Sequence, residues 1–310
     1  MYLTDYQAKD KGIIGYLAGQ VISEPIVDIK KLPGTMAYNY KINHKHIFKL
    51  PNEYTTTDDG LHQSQCAPIL QRHFSFQIPQ PQVKTVYTQG NQPLLSSSYP
   101  QIEGVCLTDD AFAVKKKPFK QKFFEQLSDA AAQIHAVSPK ELPFKLPTKI
   151  DYLEQCFFKN FNGDTYLPKK LFRKLVHSSI LGLGKSGLKT ELLAHTDLHS
   201  GNVVLNDKDE IIGILDFDMM VRGDRFLEFR PRLYDDLFDM HLFRKTYQER
   251  TGIKIDSNDL YQQEMTQQTL SWFCALCNLY QCLPLSERNK KMKNDFKQKI
   301  ISSKGVNKCI

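Results

Sequence analysis

Apolar residues at alternating spacing dominate the first part of the chain, and apolar residues at helical spacing dominate most of the rest. Residues 26–50 read as three strands, IVDIKKL, YNYKI and HIFKLP, parted by Pro33-Gly34-Thr35 and by a second turn. Short β-branched and aromatic runs between turn residues are the strand signature. In the last run, alternation places His46, Phe48 and Leu50 on one face and Ile47 and Lys49 on the other. Residues 61–74 follow as a helix that Pro68 interrupts. Pro79 to Pro81 punctuates a connection, and LLSSSYPQIEGVCL reads as a turn-rich linker. In residues 121–137, Phe123, Phe124, Leu127, Ala131 and Ile134 recur as on the buried face of a core helix. Further helices are predicted at 150–161, 168–180, 233–251 and 259–280, with a basic one beyond Pro284.

One passage breaks this pattern. Leu192-Leu193-Ala194 and Val203-Val204-Leu205 are strand-like flanks around a polar loop, His195-Thr196-Asp197-Leu198-His199-Ser200-Gly201-Asn202. Residues 206–209 supply a turn and 211–215 a second β-branched run, so a hairpin brings Asp216 back beside Asn202.

Composition narrows the classes. A chain of 310 residues, 41% hydrophobic, buries a substantial core and has room for two lobes. It holds no apolar run of membrane-span length, and its start lacks the basic-then-apolar design of a signal peptide, so a cytoplasmic protein is the expectation. The seven cysteines are scattered and odd in number, and Cys274 and Cys277 sit in an apolar helical pattern, which reads as buried thiols rather than a metal or redox site. The net charge of +7 is modest, and the lysine-rich stretches 115–122 and 289–299 lack interleaved aromatics, so they read as solvated helix faces and not as a nucleic-acid surface. Nothing here specifies an oligomeric state.

The loop carries the chemistry. Phosphoryl transfer needs a carboxylate to orient a hydroxyl and hard oxygen ligands to hold Mg²⁺ on the phosphates. Asp197 suits the first task, Asn202 and Asp216 the second, and an Asp followed by Asn five residues on is the spacing of a kinase catalytic loop. A competing reading makes His195, Asp197 and His199 metal ligands on one face of an extended segment. It leaves Asn202 and Asp216 without a purpose. For His195 taken alone, an ordinary hydrogen bond to a backbone carbonyl is the simpler role.

The order HTDLHSGN, then ILDFD, then Gly223-Asp224 resembles the aminoglycoside phosphotransferase and choline kinase superfamily. That resemblance implies an α+β, bilobal protein-kinase-like fold: a small N-terminal lobe with an antiparallel sheet over 1–100, a hinge at about 96–103, and a larger, mainly helical lobe over 104–310. It implies ATP or GTP as co-substrate, Mg²⁺ as cofactor and a small hydroxylated acceptor. By the same likeness Lys49 pairs with the nucleotide phosphates, Ser98, Tyr99 and Gln101 border the adenine edge, His195 braces the loop, His199 does the same or shapes the metal site, and Asp224 secures the loop. Asp218, Asp235, Asp239 and Glu264 are the acidic groups available to an acceptor wall. Asp235 and Asp239 share a helical face while Asp236 points elsewhere, and a basic chain does not steer a polycation, so a small metabolite is favoured over an aminoglycoside.

The sequence departs from the pattern at the helix glutamate that normally partners the lysine; the candidates there are Gln63 and Gln65, which cannot neutralise it. That departure motivates the rival reading, a non-catalytic nucleotide- or ligand-binding kinase-like module. Protein-kinase activity fits less well, because Thr196 stands where those enzymes have Arg and Asp218 where they have Gly.

Overall fold

The computed structural model describes Leu3 and residues 7–32, 37–52, 59–148, 151, 170, 192–223, 225–228, 237–254 and 294. The Pro33-Gly34-Thr35 turn, most of the helices expected at 150–161, 168–180, 259–280 and past Pro284, the Cys274–Cys277 pair, and Asp224, Asp235, Asp236 and Glu264 lie outside these residues, as does the side chain of Asp239. The chain divides into two compact units, Met1–Leu146 with Thr190–Ile253, and Pro147–Lys189 with Lys254–Ile310. The elements below belong to the first, and the lobe boundary expected near residue 104 concerns a division inside it. Among the described residues no helix is long and apolar enough to cross a membrane.

Strands β1 (Ile29–Leu32), β2 (Ala37–Ile42), β3 (His46–Pro51), β4 (Gln82–Tyr87) and β5 (Pro93–Pro100) form one antiparallel sheet in the order β1-β2-β3-β5-β4. Its register sets Tyr38 opposite Leu50 and Tyr40 opposite Phe48, so four buried side chains share a face. Helix α1 (Lys11–Ala18) covers that face with Ile14, Leu17 and Ala18. Its N-cap, Asp10, accepts the amides of Gly12 and Ile13 at 2.8 and 3.2 Å. The Tyr40 hydroxyl donates to the Ala8 carbonyl at 2.7 Å, which satisfies the one polar atom that ring carries into the core. Alternation then sends Lys49 to the opposite face, beside Asn39 and Ser97. β3 is the central strand, and Lys49 is therefore not an edge lysine.

Two expectations are corrected here. The stretch predicted as a turn-rich linker is strand β5 as far as Pro100: Leu94 and Ser96 are buried on alternate positions, and the Ser96 hydroxyl donates to Lys84 at 2.9 Å. A serine run hides alternation because its burial is satisfied by hydrogen bonds, not by apolar contact. Helix α2 (Asp59–Leu70) also runs through Pro68 rather than breaking there. Pro68 falls two residues from the helix end, where removing one N–H disturbs only the last turn.

After Pro100 the chain grips a hairpin. β7 (Val203–Leu205) and β8 (Ile211–Ile214) pair across a turn in which Asn206 Oδ1 accepts the amides of Lys208 and Glu210, each at 2.9 Å. Val105 and Leu205 exchange two backbone hydrogen bonds of 2.9 Å on one side. On the other, Gln77 donates to Ile212 at 2.8 Å and accepts from Ile214 at 2.9 Å. Gly104 makes the approach possible: its φ is +154°, and a Cβ there would meet the Leu205 carbonyl and a Val204 methyl at 2.5 Å.

Past the short α3 (Asp109–Ala113), helix α4 (Lys117–Ala136) buries Phe123, Phe124, Leu127, Ala131 and Ile134 as the periodicity predicted. It packs against α5 (Leu237–Thr251), where Ser128 and Thr246 share a buried hydroxyl contact of 2.7 Å. Two turns further along α4, His135 shares a 2.7 Å hydrogen bond with the Tyr247 hydroxyl. Burial, helped by nearby Arg225, pushes the His135 ring down to about 3. Its 3.9 Å approach to Glu228 is thus a neutral ring beside a carboxylate, not an ion pair. An unfolded histidine titrates near 6.5, so between there and about 3 the unfolded chain binds a proton that the folded chain refuses. The contribution is fully present above that window and is lost as the pH falls through it, on the order of 5 kcal/mol in all. Urea midpoints at pH 7 and 5 should therefore fall steeply for the wild type and less steeply for His135→Asn. Parallel slopes would assign the acid sensitivity to other groups.

Candidate active site

Strand β6 (Leu192–Ala194) pairs with β9 (Val221–Gly223), and the hairpin β7–β8 lies between them in sequence. The polar loop leaves β6 and enters β7; Asp216 leaves β8 and leads back toward β9. A backbone hydrogen bond from the Leu215 amide to the Asn202 carbonyl, 2.8 Å, joins the two passages one residue before Asp216. The sequence expectation that a hairpin returns Asp216 beside Asn202 is met in this way.

His195 is fully buried. Its Nε2 contacts the Leu215 carbonyl at 2.8 Å and its Nδ1 accepts the Asp197 amide at 3.3 Å, so Nε2 carries the proton. Burial holds its pKa below the ordinary value, in keeping with a neutral ring, and Phe217 packs edge-on at 4.6 Å. These bonds turn the ring inward and brace the loop, which removes it from any shared metal face. Among the described residues no three His, Cys, Asp or Glu side chains gather as a metal would need.

Thr196, buried and β-branched, sits at φ +70°, a conformation that costs about 1–2 kcal/mol. Glu228 compensates. Its carboxylate accepts the Thr196 amide with both oxygens at 3.1 Å and also takes the His195 amide. Sequence reading missed this residue. The available signal was a lone acid among Phe226, Leu227 and Phe229, since a carboxylate set in an apolar run is rarely buried without partners.

Asp197 keeps its side chain about a quarter exposed, at 23%, with Oδ2 3.7 Å from His199 Nε2. The Asn202 Nδ2 donates to that same oxygen at 3.1 Å and to the Asp197 carbonyl at 3.0 Å. Because the amide nitrogen is committed to Asp197, the amide oxygen is directed away from it. His199 Nδ1 accepts the Gly201 amide at 3.2 Å and shapes the loop's exit.

Asp216 occupies the left-handed region at φ 63°, ψ 53°, which an aspartate tolerates better than most residues. Lys49 reaches across to it. The ammonium lies 3.8 Å from Asp216 Oδ1 and 3.2 Å from Asp218 Oδ2, with only 16% of the lysine side chain exposed. Burial opposes the ammonium, but the carboxylates of Asp218 and Asp216 outweigh it and hold the Lys49 pKa above its ordinary value. The Tyr99 ring centroid stands 6.0 Å from the same nitrogen.

The expected glutamine partners play no such part. Gln65 is exposed, and Gln63, buried in α2, leaves its Nε2 without a hydrogen bond; the Lys49 hydrogen bond goes to Asp218. Of the residues expected at a nucleotide edge, Ser98 and Tyr99 pair within the sheet with Phe48 and Ile47. Gln101 donates its amide to Lys45 at 2.7 Å and keeps a buried, unpartnered Oε1.

A family model described as phosphotransferase enzyme family matches residues 31–248. Among curated proteins none matches by sequence. The GDP and kanamycin complex of APH(2")-IIia superposes with a TM-score of 0.65 at 18% identity, covering 96% of this chain and 100% of that one. The ADP-bound aminoglycoside phosphotransferase APH(2'')-Ib is similar with a TM-score of 0.59 at 17% identity, over 93% and 97% of the two chains. Macrolide 2'-phosphotransferase MphH from Brachybacterium faecium is similar at 0.59 and 13% identity, over 91% and 97%. At such identities these likenesses speak for the fold, which is α+β and kinase-like as the motif order implied.

Proposed function

Because the chain belongs to the phosphotransferase enzyme family, we propose that it moves the terminal phosphoryl group of ATP or GTP, with Mg²⁺, onto a hydroxyl of a small molecule. The observation that carries the reading is a convergence. Carboxylate oxygens of Asp216 and Asp218 both lie within 3.8 Å of the Lys49 ammonium, while the Leu215–Asn202 backbone bond ties that cluster to the Asp197 loop.

Asp197 is the hydroxyl-orienting group. It is partly exposed, has a fixed carboxylate through Asn202, and would accept the acceptor's proton as the new P–O bond forms. Lys49 places a protonated ammonium where phosphate oxygens would lie, and Tyr99, opposite Ile47, and Gln101, bonded to Lys45, line the start of β3 for the base. The buried, unpartnered Gln101 Oε1 is an acceptor that an exocyclic amino group could fill.

Asn202 and Asp216 would hold the cation. The fit is good: an amide oxygen turned away from Asp197 and a carboxylate 42% exposed are both hard donors, and Mg²⁺ commonly takes one or two protein ligands with phosphate oxygens and water completing its shell. When bound, it neutralises phosphate charge. Asp224 remains the proposed loop anchor, and Asp235, Asp239 and Glu264 the proposed acceptor wall.

For the acceptor, the solved structures that resemble this chain are named for aminoglycosides and macrolides. A net charge of +7 argues against steering a polycation, so a neutral or singly charged hydroxylated metabolite is the better reading. The test is nucleotide consumption with Mg²⁺ and ATP or GTP across a panel of sugars, amino alcohols, kanamycin and a macrolide. Turnover on a neutral hydroxyl compound, absent in Asp197→Ala, is expected. Turnover on kanamycin alone would replace the acceptor class. Thermal stabilisation by nucleotide with no turnover on any compound would replace the enzyme with a binding module.

A further inference from the structure

We propose that Asp218 is the residue that positions Lys49 on the nucleotide phosphates, in place of a helix glutamate, and that it does not belong to the acceptor wall. The inference rests on the phosphotransfer reading above.

Lys49 needs an anionic partner. A mostly buried ammonium without one is costly, and a lysine free to choose rotamers aims poorly. The two candidates expected in helix α2, Gln63 and Gln65, do not bond it; the Lys49 hydrogen bond goes to Asp218. Asp218 and Asp216 are both in reach, but they are not equivalent. The Asp218 contact is a hydrogen bond of 3.2 Å, and the Asp216 contact is looser at 3.8 Å. Asp216 is also the more exposed, 42% against 25%.

The asymmetry suits a division of labour. A carboxylate that takes a divalent cation has less charge to give the lysine, so Asp216 alone would leave Lys49 unheld at the moment the phosphates arrive. Asp218 supplies the remaining charge from the same turn. It also has little left for a substrate: Oδ2 is engaged by Lys49, and Oδ1 is buried with no hydrogen-bond partner. A residue of the acceptor wall would present an oxygen to solvent.

The experiment is a double-mutant cycle on the full chain, with Mg²⁺-ATP and Mg²⁺-GTP as probes and water as acceptor, read as kcat and nucleotide KM. Asp218→Asn is expected to lower kcat about tenfold and to raise nucleotide KM, the scale of one lost hydrogen bond between charged groups. Asp218→Glu should recover most of the loss. In a Lys49→Ala background, Asp218→Asn should add no further loss, because a positioning residue has nothing left to position. Nucleotide parameters within about twofold of wild type, or losses that multiply in the double variant, would overturn the proposal. Should Asp218→Asn fail to fold by thermal unfolding, the cycle run with Asp218→Ser gives the same two outcomes. A wild type that neither binds nor hydrolyses either nucleotide overturns the phosphotransfer reading together with this one; a wild type that does both while Asp218 is indifferent overturns this one alone.

Discussion

Asp197→Ala is expected to leave nucleotide affinity within about twofold of wild type while lowering turnover by about a hundredfold or more, the scale of a positioned general base. The separation follows from where its bonds go. The Asp197 carboxylate binds Asn202 and lies near His199, whereas the lysine cluster is built from Asp216 and Asp218. Removing the carboxylate costs Asn202 one of two acceptors. The Asp197 backbone carbonyl, at 3.0 Å, still orients the amide. Calorimetry with ATP beside steady-state rates decides the matter. Near-native rates would take the proton from Asp197, and a matching loss of affinity would make it a nucleotide ligand instead.

Asp216→Asn should produce the second large effect: Mg²⁺-dependent nucleotide binding weakens more than metal-free binding, and turnover drops by about two orders of magnitude or more. Asparagine is the informative replacement. It tolerates the left-handed backbone at φ 63°, where alanine would add a folding cost of about 1–2 kcal/mol to any functional one. Lys49 keeps its closer partner in this variant, so the loss reports on the cation more than on the lysine. Titrations with and without Mg²⁺ separate the two. Equal weakening in both would remove Asp216 from the metal site.

The parts of this site that sequence made legible are those written in neighbouring residues. Three apolar residues on each side of an eight-residue polar loop announced β6, the loop and β7, and a turn-plus-β-branched run announced β8. Alternation in HIFKLP put Lys49 on the face away from Phe48, where it lies. What escaped was set by distance or by disguise. The Lys49–Asp218 bond joins residues 169 apart, and no local pattern marks such a pair. Strand β5 escaped because Ser96, Ser97 and Ser98 mimic a linker while the buried one, Ser96, satisfies its hydroxyl on the Lys84 carbonyl. Glu228 escaped because what it holds in the loop are two backbone amides, which have no sequence identity to read.

The same Lys49–Asp218 bond changes what can switch this molecule. Where a kinase-like lysine leans on a helix glutamate, displacing that helix opens the pair and silences the site. Here the pair closes between β3 and the single turn Phe217–Met219 just past β8, and α2 packs against that turn, so a shift of α2 reaches the lysine through the position of Asp218 rather than through a paired glutamate. The hairpin, with the two backbone threads at Gln77 and Val105 that are stitched to it, gives a second route to the same turn.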